Sequence, residues 1–140
     1  MINLHLYLVT DETLAGGRRL TDIVRCAVGG GVTCVQLRAK TASSRLLLAQ
    51  AQELVALLRP MGVPLIVNDR LDIALAADAD GLHIGQDDLP CAVVRRLVRP
   101  AFCIGVSVST VAEALAAEVE GADYLGVSPV FDTPTKRDTP

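Results

Sequence analysis

The sequence lacks the features that mark several classes of protein. No basic segment precedes an apolar core at the N-terminus, and the apolar run at residues 4–9 is too short for a signal peptide or a membrane span. We therefore expect a cytoplasmic protein that does not enter a membrane. Lys and Arg total 13 against 16 Asp and Glu, and the cations are scattered along the chain. A nucleic-acid site needs a basic stripe, so no nucleic-acid partner is predicted.

The four cysteines lack the spacing of a metal or redox motif. No two of them form a Cys-x-x-Cys pair, and all lie among apolar residues, where cysteine usually packs as a small hydrophobic side chain. The chain is not deficient in apolar residues, since they make up 51% of its 140 positions. That content excludes a disordered chain, and the length favours a single domain.

Short apolar runs alternate with segments of helical periodicity, and no internal repeat is visible in the sequence. The runs are apolar throughout, as in parallel strands buried on both faces, and lie at residues 4–9, 33–37, 65–67, 81–84, 102–106 and 124–127. The repeated order of strand and helix predicts a parallel α/β fold.

Apolar residues recur every three or four positions between these runs. One such stripe comprises Leu47, Ala51, Leu54 and Leu58, in a helix opened by Ser43 or Ser44. A later helix begins at the capping-box sequence from Thr110 to Glu113. The residues of that helix expected to face the core are Ala112, Leu115, Ala116 and Val119.

Polar residues follow the predicted strands, where ligands of parallel α/β folds bind. After the second strand, Gln36, Arg38 and Lys40 stand at alternate positions, so they point to one side of an extended chain. Two cations and an amide suit a diphosphate, because Arg offers a planar fork and Lys a point charge. A solvated strand end explains this segment equally well.

Two carboxylates follow the third and fourth strands. Asp69 comes directly after Asn68, and Asp88 lies 19 positions later, about one strand–helix–strand unit. Magnesium takes one or two carboxylates and leaves its other positions to water and substrate phosphate. Each Asp could instead act as the N-cap of the helix that follows it.

Three further segments carry polar side chains that are less specific. Ser107 stands at the tip of the fifth strand and could donate a hydrogen bond to a ligand, whereas Thr110 is expected only to cap a helix. His83 lies within an apolar strand and is expected to be a core histidine. Residues 129–136 resemble a loop whose hydroxyl groups and Lys136 could close over a phosphate, although a solvated loop is the simpler interpretation.

These motifs together resemble the thiamine-phosphate synthase family. The resemblance runs from Leu6-Tyr7-Leu8-Val9-Thr10-Asp11 to the C-terminus, with several separate motifs in order. They are Val35-Gln36-Leu37-Arg38-Ala39-Lys40, Val67-Asn68-Asp69-Arg70, the segment 81–89, Gly105-Val106-Ser107, and the segments 126–131 and 133–136.

The resemblance implies a (β/α)8 TIM barrel that condenses 4-amino-5-hydroxymethyl-2-methylpyrimidine diphosphate with a thiazole phosphate. Pyrophosphate leaves first, and the thiazole nitrogen captures the pyrimidine cation to give thiamine monophosphate. By resemblance, Asp69 and Asp88 hold Mg²⁺, and Arg38, Ser107 and Lys136 act in catalysis. The pyrimidine diphosphate is bound by Gln36, Arg38, Lys40, Asn68, Ser107 and Lys136, and the thiazole phosphate by Thr133, Pro134 and Thr135.

The chain departs from this family in length, since about six of the eight β/α units are present. We expect a truncated barrel in which the diphosphate and Mg²⁺ residues remain, synthase activity is low and open barrel edges favour self-association. Two other functions remain open. A thiazole tautomerase would lack the metal carboxylates, and a non-catalytic remnant would bind a phosphorylated ligand or only fold with a partner.

Overall fold

The computed structural model describes residues 2–127, and the chain divides into two compact units, Met1–His83 and Ile84–Pro140. Every strand pairing described within the two units is parallel, and helices connect the strands, which confirms the predicted parallel α/β class. Within the described residues no helix is long and apolar enough to cross a membrane.

The first unit is built on four parallel strands that pair in the order of the sequence. They are β1 (Tyr7–Val9), β2 (Cys34–Leu37), β3 (Leu65–Asn68) and β4 (Gly81–Ile84), the last of which ends at the boundary with the second unit. The connecting helices are α1 (Leu20–Gly29), α2 (Ser44–Leu58) and α3 (Leu71–Ala76), with a 3₁₀ turn at Arg59–Met61. The register places Val9 opposite Gln36 and Asn68 opposite His83.

The core of the first unit lies between α2 and the strands β2 and β3. All four residues of β2 are buried, and the predicted stripe of α2 is at most 3% exposed. Ser43 caps α2, because its hydroxyl accepts a hydrogen bond from the backbone N–H of Leu46 at 3.3 Å. The predicted strand at residues 4–9 is shorter than expected, since β1 begins at Tyr7 and Leu6 is 51% exposed.

The second unit contains α4 (Cys91–Leu97), β5 (Cys103–Val108), α5 (Val111–Val119) and β6 (Tyr124–Val127). β5 pairs in parallel with β6 and places Ser107 opposite Gly126. Thr110 caps α5 as predicted, since its hydroxyl accepts from the Glu113 N–H at 3.2 Å. Glu113 completes the cap by accepting from the N–H of Ser109 at 2.7 Å, one residue before the usual partner.

The predicted inward face of α5 is wrong. Leu115 is 58% exposed and Val119 is 89% exposed, whereas Ala117 is the one fully buried residue among the described positions of this helix. The prediction took Ala112, Leu115, Ala116 and Val119 from the helical period, but the buried residue, Ala117, lies outside that set. β6 likewise alternates between half-buried and exposed positions, with Val127 65% exposed, so it is not buried on both faces as predicted.

One connection recurs three times, although the sequence shows no repeat. A side-chain oxygen just before β2, β4 or β6 accepts from a backbone N–H at the start of the preceding β segment, and the N–H of the same residue donates back to that segment. The three pairs are Thr33 with Leu6 (3.0 and 2.9 Å), Asp80 with Leu65 (2.8 and 2.9 Å) and Asp123 with Ile104 (2.7 and 2.7 Å). The same pair of hydrogen bonds thus occurs at every second helix-to-strand connection, with a Thr or Asp side-chain oxygen as the acceptor.

Candidate functional site

Gln36 is a buried polar side chain in the middle of the first unit's sheet. It is 4% exposed, and its side-chain amide donates to the hydroxyl of Tyr7 on β1 at 2.9 Å. A buried amide needs such a partner, because burial without one is costly. Tyr7 thereby holds the amide of Gln36 in one orientation.

Arg38 follows β2 directly and leans towards the end of β1. Its guanidinium lies 3.7 Å from a carboxylate oxygen of Asp11, and its backbone N–H donates to the hydroxyl of Thr10 at 3.0 Å. Hydrogen bonds from Thr13, followed by the nearby Arg38 charge, lower the pKa of Asp11. Arg38 therefore reaches the β1 end, while its guanidinium remains partly exposed.

Lys40 stands in the turn after β2 and leans in the opposite direction, towards β3. Its ammonium nitrogen lies 3.0 Å from Oδ2 of Asp69. The Lys40 side chain is 48% exposed and the Asp69 side chain 21% exposed. The structure thus joins the predicted diphosphate lysine to one of the predicted Mg²⁺ carboxylates.

Asp69 is presented by an unusual backbone turn at the end of β3. Its φ is 62°, and the N–H of Arg70 donates to the carbonyl of Asn68 at 2.7 Å, which closes a three-residue γ-type turn around Asp69. The Asp69 N–H donates to the carbonyl of His83 at 2.8 Å. Left-handed backbone at a residue other than glycine is costly and is concentrated at functional sites.

The alternative role of Asp69 as a helix N-cap is wrong. The residue at the N-cap of α3 is Arg70, and α3 has no side-chain cap hydrogen bond. Asp69 is therefore held by the turn, with its carboxylate directed to Lys40 instead of the helix end.

Arg70 has a structural role, although it belongs to the same sequence motif. Its guanidinium makes two hydrogen bonds to the carboxylate of Asp72, at 2.9 and 2.6 Å, and a third to the hydroxyl of Ser44 on α2 at 2.9 Å. These bonds raise the pKa of Arg70 and lower the pKa of Asp72. Arg70 thus ties α3 to α2 and contributes no contact to Lys40 or Asp69 among the bonds described.

Asp88 in the second unit closes the turn that follows β4. Its Oδ2 accepts from the N–H of Gly85 at 2.7 Å. The N-cap of α4 is Pro90, again without a side-chain cap bond, so the proposed capping role of Asp88 is also wrong. The Asp88 side chain is half-buried in the turn, near the end of the strand.

Ser107 lies within β5 and is half-buried. Its carbonyl accepts from the side-chain amide of Gln86 at 2.6 Å, which ties the β4 turn to β5. On the same face of the pair β5–β6, the ring of Tyr124 covers Gly105, where a Cβ would lie 2.1 Å from the ring. Any larger residue at position 105 would clash with the ring of Tyr124.

The second unit also contains a cavity of about 390 Å³ lined by residues including Asp88, Cys91, Val106, Ala116 and Glu120. The Glu120 carboxylate accepts from the N–H of Ala92 at 3.1 Å. Burial, and then the negative charge of Glu120, raise the pKa of the Cys91 thiol. Cys91 is therefore a buried thiol whose neutral form is favoured in the folded state.

The chemistry of the donor set fits a hard cation with few protein ligands. Within residues 2–127, no group of three or more His, Cys, Asp and Glu side chains is arranged to hold a metal. Mg²⁺ needs no such cage, since it is bound through one or two carboxylates together with water and phosphate oxygens. Asp69 in the first unit and Asp88 in the second each offer a partly accessible carboxylate at a strand end, which is the type of ligand that Mg²⁺ takes. The remaining predicted site residues, Thr133, Pro134, Thr135 and Lys136, lie outside the described residues.

Sequence reasoning missed two residues that position the predicted ones. Tyr7 orients Gln36 and Asp11 faces Arg38, yet neither was assigned to the site. Asp11 follows the first strand, as the other polar clusters follow theirs, and that position was a usable signal. Tyr7 carried only a weaker signal, since an aromatic residue in a strand usually packs in the core.

The chain is similar to known proteins over almost its whole length. The family described as thiamine monophosphate synthase matches residues 6–140. A thiamine-phosphate synthase of Syntrophomonas wolfei is 60% identical over 135 residues, which are 96% of this chain and 65% of the relative. One of Albidiferax ferrireducens is 55% identical over 136 residues, which are 97% of this chain and 62% of the relative. The chain thus spans less than two thirds of the length of these relatives.

Two solved structures are similar to this chain in fold. The structure of a thiamine phosphate pyrophosphorylase from Pyrococcus furiosus superposes with a TM-score of 0.83 and 41% identity, over 90% of this chain and 60% of that one. An aldolase from Escherichia coli K12 superposes with a TM-score of 0.62 at 16% identity, over 79% of this chain and 49% of that one, which reflects the fold alone. With a family match from residue 6 to residue 140 and relatives more than half identical, the chain belongs to the thiamine monophosphate synthase family.

Proposed function

We propose that this chain carries the pyrimidine-diphosphate part of a Mg²⁺-dependent thiamine-phosphate synthase site, built on about six of the eight β/α units of a TIM barrel and acting in the cytoplasm. The reaction joins 4-amino-5-hydroxymethyl-2-methylpyrimidine diphosphate to a thiazole phosphate. The bond from the pyrimidine methylene carbon to the diphosphate oxygen breaks, and pyrophosphate leaves with the electron pair. The thiazole nitrogen then forms the new bond to that carbon.

The observation that carries the proposal is the grouping at the ends of β2 and β3. Arg38 and Lys40 follow β2, and Asn68 and Asp69 end β3, so two cations, an amide and a carboxylate belong to neighbouring parallel strands. Lys40 and Asp69 are in contact at 3.0 Å. Arg and Lys are the side chains that bind phosphate oxygens most strongly, by fork and by point charge.

The chemistry requires stabilisation of the leaving group more than a strong base. Negative charge develops on pyrophosphate as the carbon–oxygen bond breaks, and fixed cations at that position lower the barrier. Mg²⁺, when bound by Asp69 and Asp88, supplies further positive charge to the diphosphate. Arg38, Ser107 and Lys136 are proposed to contact the reacting diphosphate, while Gln36 and Asn68 orient the substrate. Thr133, Pro134 and Thr135 are proposed to bind the thiazole phosphate.

Asp69 also favours this function over a thiazole tautomerase, which lacks the metal carboxylates. The left-handed backbone and the partly exposed carboxylate of Asp69 serve no capping role in α3.

Calorimetry with the pyrimidine diphosphate, with and without Mg²⁺, tests the proposal. We expect binding that Mg²⁺ strengthens, and loss of the Mg²⁺-dependent part in Asp69→Asn and Asp88→Asn. Asp87→Asn is the matched control, since it removes an exposed carboxylate beside Asp88 and should bind as the parent does. Circular dichroism verifies that each variant is folded.

Two results would contradict the proposal. If either carboxylate variant binds the diphosphate with the same Mg²⁺ dependence as the parent, the metal assignment is wrong. Alternatively, thiazole isomerisation without any Mg²⁺ dependence would indicate the tautomerase.

A further inference from the structure

The ion pair of Lys40 and Asp69 joins two groups that the proposed function assigns to different ligands. Lys40 is assigned to the diphosphate and Asp69 to the metal, yet the ammonium nitrogen lies 3.0 Å from Oδ2 of the carboxylate. A cation bound at the same oxygen would bring two positive charges close together. Like charges at this separation repel strongly at a partly buried site.

The two partners differ in their freedom to move. Asp69 is held by its γ-type turn and by the hydrogen bond from its N–H to the carbonyl of His83. Lys40 stands in a turn, with its side chain 48% exposed and a four-carbon stem that can reorient. When a cation binds the carboxylate, the lysine is therefore the partner that moves.

We propose that Lys40 acts as an exchangeable counter-ion of Asp69: it balances the carboxylate until a divalent cation binds there, and the released ammonium then binds the diphosphate. This inference rests on the proposed function and adds to it the order in which Lys40 changes its partners. Lys40 opposes metal binding in the absence of diphosphate and favours diphosphate binding once the metal is present. Metal and diphosphate therefore bind cooperatively, and the coupling is reciprocal.

Arg38 provides an internal contrast. It carries the same charge from the same segment, and its described ion pair is with Asp11 at 3.7 Å. Asp11 is further held by hydrogen bonds from the N–H of Thr13 at 2.8 Å and from its hydroxyl at 2.5 Å. Removal of the Arg38 charge should therefore change metal binding at Asp69 much less than removal of the Lys40 charge.

Calorimetric titration with Mg²⁺ alone, and again with inorganic pyrophosphate present, provides the first test. Lys40→Met should bind Mg²⁺ about two- to fivefold more tightly than the parent in the absence of pyrophosphate, the range of a half-exposed ion pair. The same variant should lose most of the cooperativity between Mg²⁺ and pyrophosphate. Arg38→Met should leave the affinity for Mg²⁺ alone close to that of the parent, and Lys40→Arg should retain part of the coupling.

A direct readout is available because the chain has only two lysines, Lys40 and Lys136. With ¹⁵N-labelled lysine, the side-chain NMR spectrum contains two ammonium resonances, and Lys136→Arg assigns them. Mg²⁺ without pyrophosphate should shift the Lys40 resonance as the ion pair opens. The shift should be absent in Asp69→Asn, where the carboxylate is missing.

The possible results separate this inference from the function on which it rests. If Mg²⁺ binds in an Asp69-dependent manner but the Lys40 resonance does not move, the exchange is wrong and the proposed metal site stands. If Lys40→Met binds Mg²⁺ no more tightly than Arg38→Met, the exchange is likewise wrong. If no Asp69-dependent Mg²⁺ binding is detected with or without pyrophosphate, both the metal site and the exchange are wrong.

Discussion

The side-chain amide of Gln36 donates a hydrogen bond to the hydroxyl of Tyr7, 29 residues away in the sequence, at 2.9 Å. Gln36 is 4% exposed, so water cannot readily replace this partner. The bond crosses from β2 to β1 and orients an amide that the family resemblance assigns to substrate binding. Tyr7 is thus a positioning residue for the candidate site.

Tyr7→Phe should destabilise the fold and weaken diphosphate binding. It leaves the Gln36 amide without its acceptor in a buried position, which costs about 1–3 kcal/mol. Urea unfolding measures the loss, and calorimetry with pyrophosphate and Mg²⁺ measures binding. The double variant Tyr7→Phe/Gln36→Leu should lose less free energy of unfolding than the two single variants lose together, because it leaves neither partner unsatisfied. A single Tyr7→Phe variant as stable as the parent would contradict this role.

Asp123→Ala should be among the more destabilising carboxylate substitutions. Its Oδ2 accepts from the N–H of Ile104, a residue with no exposed surface, and from the guanidinium of Arg95 at 2.6 Å. We expect a loss of about 1.5–3 kcal/mol in the free energy of unfolding, the range for hydrogen bonds to charged groups. Asp22→Ala is the control, because its pair with Arg25 is exposed and 3.8 Å long and should matter little. Equal losses of stability in the two variants would contradict this role of the Asp123 hydrogen bonds.

The raised pKa of Cys91 predicts both slow alkylation and a stability that falls at alkaline pH. The folded state favours the neutral thiol, so its contribution to stability is complete below the unfolded pKa and is lost as pH rises through the higher folded pKa. Iodoacetamide labelling followed by mass spectrometry should modify the exposed Cys26 first. The rate at Cys91 should rise only at higher pH. Faster labelling of Cys91 than of Cys26 at neutral pH would contradict the prediction.

Self-association through α5 is predicted from its exposed apolar stripe. Val111 is 77% exposed, and Leu115 and Val119 lie one and two turns further along the same face. Leu115→Gln/Val119→Lys should reduce the association measured by sedimentation velocity, since contiguous apolar surface favours contact with other molecules. Leu97→Gln on α4, at 60% exposure, is the matched control and should have no effect. A parent chain that remains monomeric at every concentration would refute the prediction.

The sequence by itself predicted those features that depend on local order. Strand and helix positions followed from apolar runs and helical periodicity, and the caps at Ser43 and Thr110 followed from adjacent residues. The α/β class and the family were also predictable, because motifs such as residues 35–40 and 67–70 keep their order along the chain. The assignment of Mg²⁺ to Asp69 and Asp88 remains a prediction.

Only the tertiary structure decided which polar groups meet. Arg70 and Asp69 are adjacent in one motif, yet Arg70 bonds to Asp72 and Ser44 while Asp69 faces Lys40, 29 positions away. The exposed face of α5 and the Tyr7–Gln36 bond were likewise not readable from periodicity. Such contacts depend on strand register and on the direction of each side chain at a strand end, which join residues far apart in sequence and leave no local pattern.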